Sequence, residues 1–315
     1  MRNFANFCLD NGGIIKPLII PAQSTNGTGL FNPTIYVDGD KILVNIRHCQ
    51  YTLYHSELQN YEHHWGPLLY LNPENDVTLR TTNFFCNITE DLDIEKIFKV
   101  DTSEHDVEPI WTFIGLEDAR IIKWHGKVYL SGVRRDTTTD GQGRMELSEL
   151  MFGEDFVKEV SRHRIPAPNG DDSYCEKNWM PIIDQPFHYV KWSNPVEVVK
   201  YDMNEKTCET VALKDFDQTL GYALRGGSQV IPYKDGYLAL HHVTDLFFRH
   251  QFTHWDKDWN VIKRSRVFDF MDGHIEFSCG MAKHNNDYLI TFGFQDNAAY
   301  IAKISDSALE EFINE

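Results

Sequence analysis

No long apolar run occurs anywhere in the 315 residues; a bilayer-spanning helix needs about 18 of them in succession. The opening MRNFANFCLDNGG also lacks the apolar stretch and small-residue cleavage site of a secretory signal. Basic charge is scarce: 30 Lys and Arg stand against 47 Asp and Glu, a formal charge of −17. That balance argues against a broad phosphate-backbone binder, which needs a basic face. Six cysteines are scattered singly with no C-x-x-C pair, so neither a zinc ribbon nor a disulfide framework is expected. With 42% hydrophobic and 24% charged residues, the chain falls in the globular range. The expectation is a cytoplasmic protein with no membrane and no nucleic acid among its partners; the oligomeric state is left open.

Long helical periodicity is missing as well, and what replaces it is a repeated hairpin. Aromatic residues make up 13% of the chain, beside 20 Gly and 12 Pro. Five segments share one layout, a β-rich run, a tight turn and a second β-rich run. Their turns fall at Asp38-Gly39-Asp40, His125-Gly126, Asp184-Gln185-Pro186, Lys234-Asp235-Gly236 and Asn285-Asn286-Asp287. A repeated small antiparallel sheet is the unit of a β-propeller. The predicted fold is therefore all-β: a five-bladed β-propeller forming one catalytic domain over 1–315, with a short C-terminal helix. Blade-like units lie near 31–57, 116–152, 175–202, 226–259 and 275–305. Residues 58–75 and 136–174 read as insertions walling one end of the channel. The terminal SALEEFINE reads as the helix, with Ser305 or Ser307 as its cap.

Familiar motifs fail when tested one by one. His63-His64, His241-His242 and the His250/His254 spacing lack H-E-x-x-H logic, and an i, i+4 pair on a strand lies too far apart to chelate. Asp136 to Gly141 opens like a calcium loop, but position twelve is Leu147. Gly27-Thr28-Gly29 lacks the rest of a phosphate loop. No metal is expected. Polar groups do recur where the units begin: Phe31-Asn32-Pro33, Gly115 to Arg120, Glu176-Lys177-Asn178-Trp179, Arg225 to Gln229, and His274 to Phe277. The innermost strand of each propeller blade lines the central channel, so these groups would converge on one place.

The same residues carry a resemblance. Phe31-Asn32-Pro33, Gly115 to Arg120 with Ile121, Lys177-Asn178, Gly236 to His242, and Phe292 to Asp296 make the chain similar to glycoside hydrolase family 130, the five-bladed β-mannoside phosphorylases and related hydrolases. The resemblance runs in order over roughly residues 29–305. It implies that Asp118 is the catalytic acid, protonating the glycosidic oxygen through a sugar hydroxyl. It further implies that Lys177 and His242 hold phosphate and that Asp296 binds sugar, and it places Arg47 where the family often has an arginine; Arg47 and Arg135 are expected to complete a cationic cluster with Lys177 and His242. Asn32, Glu117, Arg120, Asn178 and Glu276 join the expected substrate contacts. The chain departs from the family where Ala119 replaces a usual Pro, where Trp179-Met180-Pro181 follows Lys177-Asn178 at a shortened spacing, and where Arg134-Arg135 replaces a usually neutral strand end.

The chemistry matches the resemblance. An inverting glycosidase needs an acid and a base with room for water between them. A phosphorylase needs the acid and a cationic pocket to orient the phosphate dianion. The expected activity is inverting phosphorolysis of a β-mannoside or similar oligosaccharide, or the reverse synthesis, with inorganic phosphate as co-substrate and no cofactor. Trp65, Trp111 and Trp179 are candidate sugar-stacking residues. Three alternatives stay open: a hydrolase with Glu176, Glu276 or Asp296 as base, a mannosyltransferase using a sugar nucleotide, and a non-catalytic carbohydrate-binding propeller.

Overall fold

The computed structural model describes residues 2–25, 27, 29–52, 60–63, 66–70, 79–244 and 248–315. It is nearly all-β, and antiparallel meanders follow one another along the chain. A nine-stranded sheet holds two of them. Leu30–Asp38, Lys41–Cys49, Leu79–Ile88 and Ile94–Asp101 form one half, and Glu117–Trp124, Lys127–Arg134, Arg144–Phe152 and Val157–Arg164 form the other. A short parallel pairing of Val100 and Asp101 with Val157 and Lys158 joins their outer edges. A four-stranded sheet covers Met180–Pro181, His188–Ser193, Val196–Asp202 and Thr207–Leu213. A seven-stranded sheet is built around Gly236–Thr244 and Phe248–Trp255. The last sheet takes Glu276–His284, Asp287–Phe294 and Ala298–Ser305, and its fourth strand, Ile14–Pro17, comes from the other end of the chain.

Each predicted hairpin turn sits between two paired strands, because Gly and Asn-Asp supply the backbone freedom a tight turn needs. The C-terminal helix runs Asp306–Asn314, and the Ser305 side chain accepts from the Ala308 N–H. Two expectations change. Residues 136–174 are no insertion, since Arg144–Phe152 and Val157–Arg164 are regular strands paired with each other and with the rest of their sheet. Within 58–75 the structure describes two short strands, Asn60–His63 and Gly66–Tyr70; the rest of that segment, Trp65 included, lies outside the described residues. The helix Phe4–Asp10, which had no sequence signal of its own, buries Phe4 and Phe7 against Phe312 of the C-terminal helix.

The first strands of the meanders meet in ring order. Leu30–Asp38 packs on Glu117–Trp124 and on Glu276–His284, Glu117–Trp124 touches Met180–Pro181, and Gly236–Thr244 touches Glu276–His284. One buried side chain ties this ring together. Gln229 donates to Thr34 Oγ1 (3.1 Å), to the Ile35 carbonyl (2.7 Å) and to the Ile121 carbonyl (2.9 Å), and its Oε1 accepts from Met281 N (3.2 Å). Such close approach requires missing side chains: a Cβ on Gly226 would lie 1.8 Å from the Asn178 carbonyl, and one on Gly293 would lie 2.4 Å from Asn32 Oδ1.

Candidate active site

Just beyond the Gln229 level the inner strands break register. A β-bulge falls between Phe31 and Thr34, another between Glu117 and Arg120, and a third between Phe277 and Gly280. Bulges re-aim side chains. Here the backbone turns left-handed at polar residues: φ is +47° at Asn32, +48° at Asp118, +60° at Asn178 and +48° at Asp296. Non-glycine residues in this region cost of order 1 kcal/mol each and cluster at functional sites.

Asp118 is the focus. Its Oδ1 accepts from Arg47 Nη1 (2.8 Å) and from Asn32 Nδ2 (2.8 Å), while Glu117 Oε2 lies 3.7 Å from Arg47 Nη2. Arg120 is fully buried. It donates to the Asp118 carbonyl (2.7 Å), to the Gly227 carbonyl twice (2.9 and 2.8 Å) and to Asn178 Oδ1 (3.5 Å). Burial alone would raise the Asp118 pKa, but Arg47, the Asn32 hydrogen bond and Arg120 outweigh it and hold the carboxyl below the usual range. Asp296 behaves oppositely. Burial pushes it up to about 6, against the pull of Arg47 and with a further push from the Asp118 charge. Two neighbouring carboxyls are thus driven apart, one ionised and one holding its proton into mildly acidic conditions.

Beside this centre a cavity of about 200 Å³ is lined by Lys177, Asn178, Lys191, Trp192 and Arg225, among others. Lys191 pairs with Glu176 (3.1 Å) and, at 3.9 Å, with Glu197. Lys177 and Arg225 are exposed, and neither has a carboxylate partner among the described residues. Arg225 instead lies 6.0 Å over the Trp192 ring. Asn178 joins the cavity to the centre through Arg120.

The expected residues divide accordingly. Asn32, Arg47, Glu117, Asp118, Arg120 and Asn178 come together through direct contacts, with Asp296 close enough to feel two of their charges. Lys177 lines the adjoining cavity. His242 is buried between Phe248 and Phe277, and its Nδ1 donates to the Gly226 carbonyl at 2.8 Å. Burial, with Arg120, Arg225 and Lys177 nearby, lowers its pKa to about 3 despite the Gly226 bond. It is therefore a neutral ring and adds no positive charge to the cluster. Arg135 is turned to Cys175 Sγ (3.0 Å) and the Gly141 carbonyl (3.4 Å), one residue back from the cavity wall.

Two acids leave the list. Glu276 is fully buried, and its carboxylate accepts from the backbone N–H groups of Phe270 (2.5 Å), Met271 (2.7 Å) and Gly273 (2.8 Å). Those bonds bind it to the chain rather than to a substrate. Glu176 is spent on Ser173, on the indole of Trp179 and on Lys191. Trp179 is likewise sealed in the core, which removes it as a stacking surface; Trp192, on the same cavity, lies under Arg225. Sequence reasoning named Arg225 only within the polar run that opens the fourth unit, with no role of its own, and passed over Lys191 and Trp192.

No family model and no curated protein matches the sequence. The fold does match solved structures. The chain is similar to a β-1,2-mannobiose phosphorylase from Listeria innocua in complex with β-1,2-mannobiose (14% identity, 95% of this chain and 96% of the other, TM-score 0.60). It is similar to a structure described under the GH130 family of mannoside phosphorylases and its hydrolases that target β-1,2 mannosidic linkages in Candida mannan (12%, 93% and 97%, TM-score 0.60). A GH43 β-xylosidase/α-arabinofuranosidase from a compost microbial metagenome also matches (10%, 91% and 92%, TM-score 0.58). At these identities the likeness is one of fold. Among the described residues no three His, Cys, Asp or Glu side chains gather as a metal site.

Proposed function

We propose that this chain is a five-bladed β-propeller enzyme that cleaves a β-mannoside or similar oligosaccharide by inverting phosphorolysis, with inorganic phosphate as co-substrate and no cofactor. Five meanders whose first strands meet in a ring support the blade count. One observation carries the reaction: in a chain of net charge −17, Lys177 and Arg225 line a cavity whose lining carboxylate, Glu176, is paired with Lys191, and among the described residues neither cation has a carboxylate of its own. Two uncompensated cations beside an acid pair call for an anion. In the forward direction a phosphate oxygen attacks the anomeric carbon, the bond to the leaving sugar oxygen breaks, and that oxygen takes a proton. The products are a sugar 1-phosphate and a shortened saccharide.

The proton donor is assigned from the two carboxyls. A general acid must hold its proton near the working pH, and Asp296, pushed up to about 6, suits that role better than Asp118, which is held below the usual carboxylate range. Asp118, ionised and gripped by Arg47 and Asn32, accepts sugar hydroxyls at the reacting unit and opposes the positive charge that develops on the ring. The reverse assignment, with Asp118 as donor, is favoured by its central position and requires the substrate to displace Arg47. An aryl mannoside with a good leaving group separates the two: its cleavage needs no acid, so it restores the rate of the donor's Asn variant and leaves the other variant slow.

Hydrolysis is the weaker reading, because Glu176 and Glu276 are already spent and a base would have to be Asp296. Calorimetric titration of inorganic phosphate into the full chain tests the proposal. Binding that weakens at least tenfold in Lys177→Ala/Arg225→Ala supports it; no phosphate binding, or binding indifferent to that double variant, contradicts it.

A further inference from the structure

A second and larger cavity, about 480 Å³, lies between the two halves of the nine-stranded sheet. Its volume is in the range of small-molecule sites. A seam between packed sheets is ordinarily apolar, and part of this one is: Leu43, Phe85, Leu116, Ile121 and Leu130 pack together there. The cavity wall is different. Thr81, Asn83, Arg134, Asp136 and Ser148 line it, and each is more than nine-tenths buried. Thr81, Asn83, Arg134 and Ser148 are hydrogen-bonded within the protein, whereas one oxygen of Asp136 is left open among the described residues, and a buried acceptor without a partner is costly unless something fills it.

The charges nearly balance: four Lys and Arg side chains on the wall stand against three Asp. Arg134 is held by Glu146 (2.8 Å) and Asp136 (3.2 Å), and Arg162 by Glu159 (2.5 Å) and Asp106 (3.3 Å). These two cations are neutralised where they stand, and of the other two Arg80 is half-buried and Lys99 exposed. What remains is a mixture of hydroxyls, amides and carboxylates with apolar patches at Val100, Ile114 and Leu130. The Oδ2 of Asp136 accepts from Gly115 N (2.8 Å) and Arg134, while its Oδ1 takes no hydrogen bond among the described residues. Hydroxyl groups both donate and accept, and C–H faces cover apolar patches. We infer that this cavity is a second binding site, for a neutral, hydroxyl-rich ligand of mono- or disaccharide size. It also touches the centre: Thr81 Oγ1 accepts from Arg47 Nε (3.3 Å), and Asp136 holds Gly115, three residues before Asp118.

The test reads binding rather than turnover, so it stands apart from the phosphorolysis proposal. Val107 is exposed and lines the cavity, as does Ser103; Val107→Trp and Ser103→Trp each block the cavity from a tolerant surface position. Mannose and β-1,2-mannobiose are titrated into the full chain in the Asp118→Asn background, followed by ligand-observed NMR, with inorganic phosphate as charged competitor. The expected result is a sugar-binding event that phosphate does not displace and that weakens at least tenfold in both blocking variants. Identical binding in the blocked proteins, or displacement by phosphate, overturns the inference. Two sources of the same chemistry are then told apart in the otherwise wild-type enzyme. If the ligand is the far end of the substrate, Val107→Trp raises KM about tenfold for longer saccharides and leaves short ones unchanged. If it is a free sugar acting from the seam, mannose binds as tightly as mannobiose and the KM change is independent of chain length.

Discussion

Two levels of the same inner strands use polar residues in opposite ways. At the Gln229 level, the side chain's amide is satisfied by groups from three other strands, and Thr34 Oγ1 additionally accepts from Ile121 N at 3.3 Å. A few residues further on, past the bulges, Asp118 is held below the usual carboxylate range while Asp296 is pushed up to about 6, and Lys177 and Arg225 line a cavity whose lining carboxylate, Glu176, is paired with Lys191. The first level closes the ring and the second leaves charge over. A polar group that is fully satisfied stabilises; a polar group left over is available for chemistry.

Substitutions should separate the two levels. The largest effect is expected from Asp118→Asn, which should cut kcat by about 10² to 10³-fold through lost electrostatic stabilisation; a variant of normal rate would remove Asp118 from the reaction. Next comes Gln229→Leu. It leaves Met281 N–H and the acceptors around it without their partner, and should cost about 3 kcal/mol by denaturant unfolding while the KM for phosphate stays the same. Arg225→Ala should do the converse, raising that KM about tenfold with a stability change within about 0.5 kcal/mol, because the side chain is exposed and holds no ion pair.

A further difference lies in pH. His241 and His242 are buried neutral, each lowered to about 3 by burial first. The unfolded chain binds protons at both from about pH 6.5 downward and the folded chain does not, so stability falls as pH drops from about 6.5 toward 3. Asp296 acts with the opposite sign. Its raised pKa stabilises the fold below about pH 4 and that contribution is lost as pH rises through about 6. Melting temperatures followed from pH 7 to 4 should therefore fall overall, and Asp296→Asn should make the fall steeper, because the Asp296 contribution that grows on acidification is gone. A fall unchanged by Asp296→Asn would place its pKa elsewhere.

Much of the hairpin architecture was legible because turn chemistry is local. Asp38-Gly39-Asp40 and Asn285-Asn286-Asp287 announce their turns, and Ser305 its helix. The pairing of Ile14–Pro17 with Ala298–Ser305 was not legible, since nothing near either segment points to the other end of the chain. Within the site, residue type carried the reading as far as Asn32, Asp118 and Asn178. It could not tell Glu276 from Asp296. Both are acids at strand ends of one hairpin, and only backbone geometry gives Glu276 three N–H donors and leaves Asp296 with none among the described residues. Nor does a bulge have a side-chain signature, so the turning of Asn32 and Asp118 into the centre was invisible.

The most direct test of the leftover charge is to follow its proposed product. The full chain is incubated with β-1,2-mannobiose and inorganic phosphate, and the mixture is followed by ³¹P and ¹H NMR. The account predicts that inorganic phosphate falls as an α-configured mannose 1-phosphate rises in equal amount. Free mannose accumulating at the same rate without phosphate would contradict it.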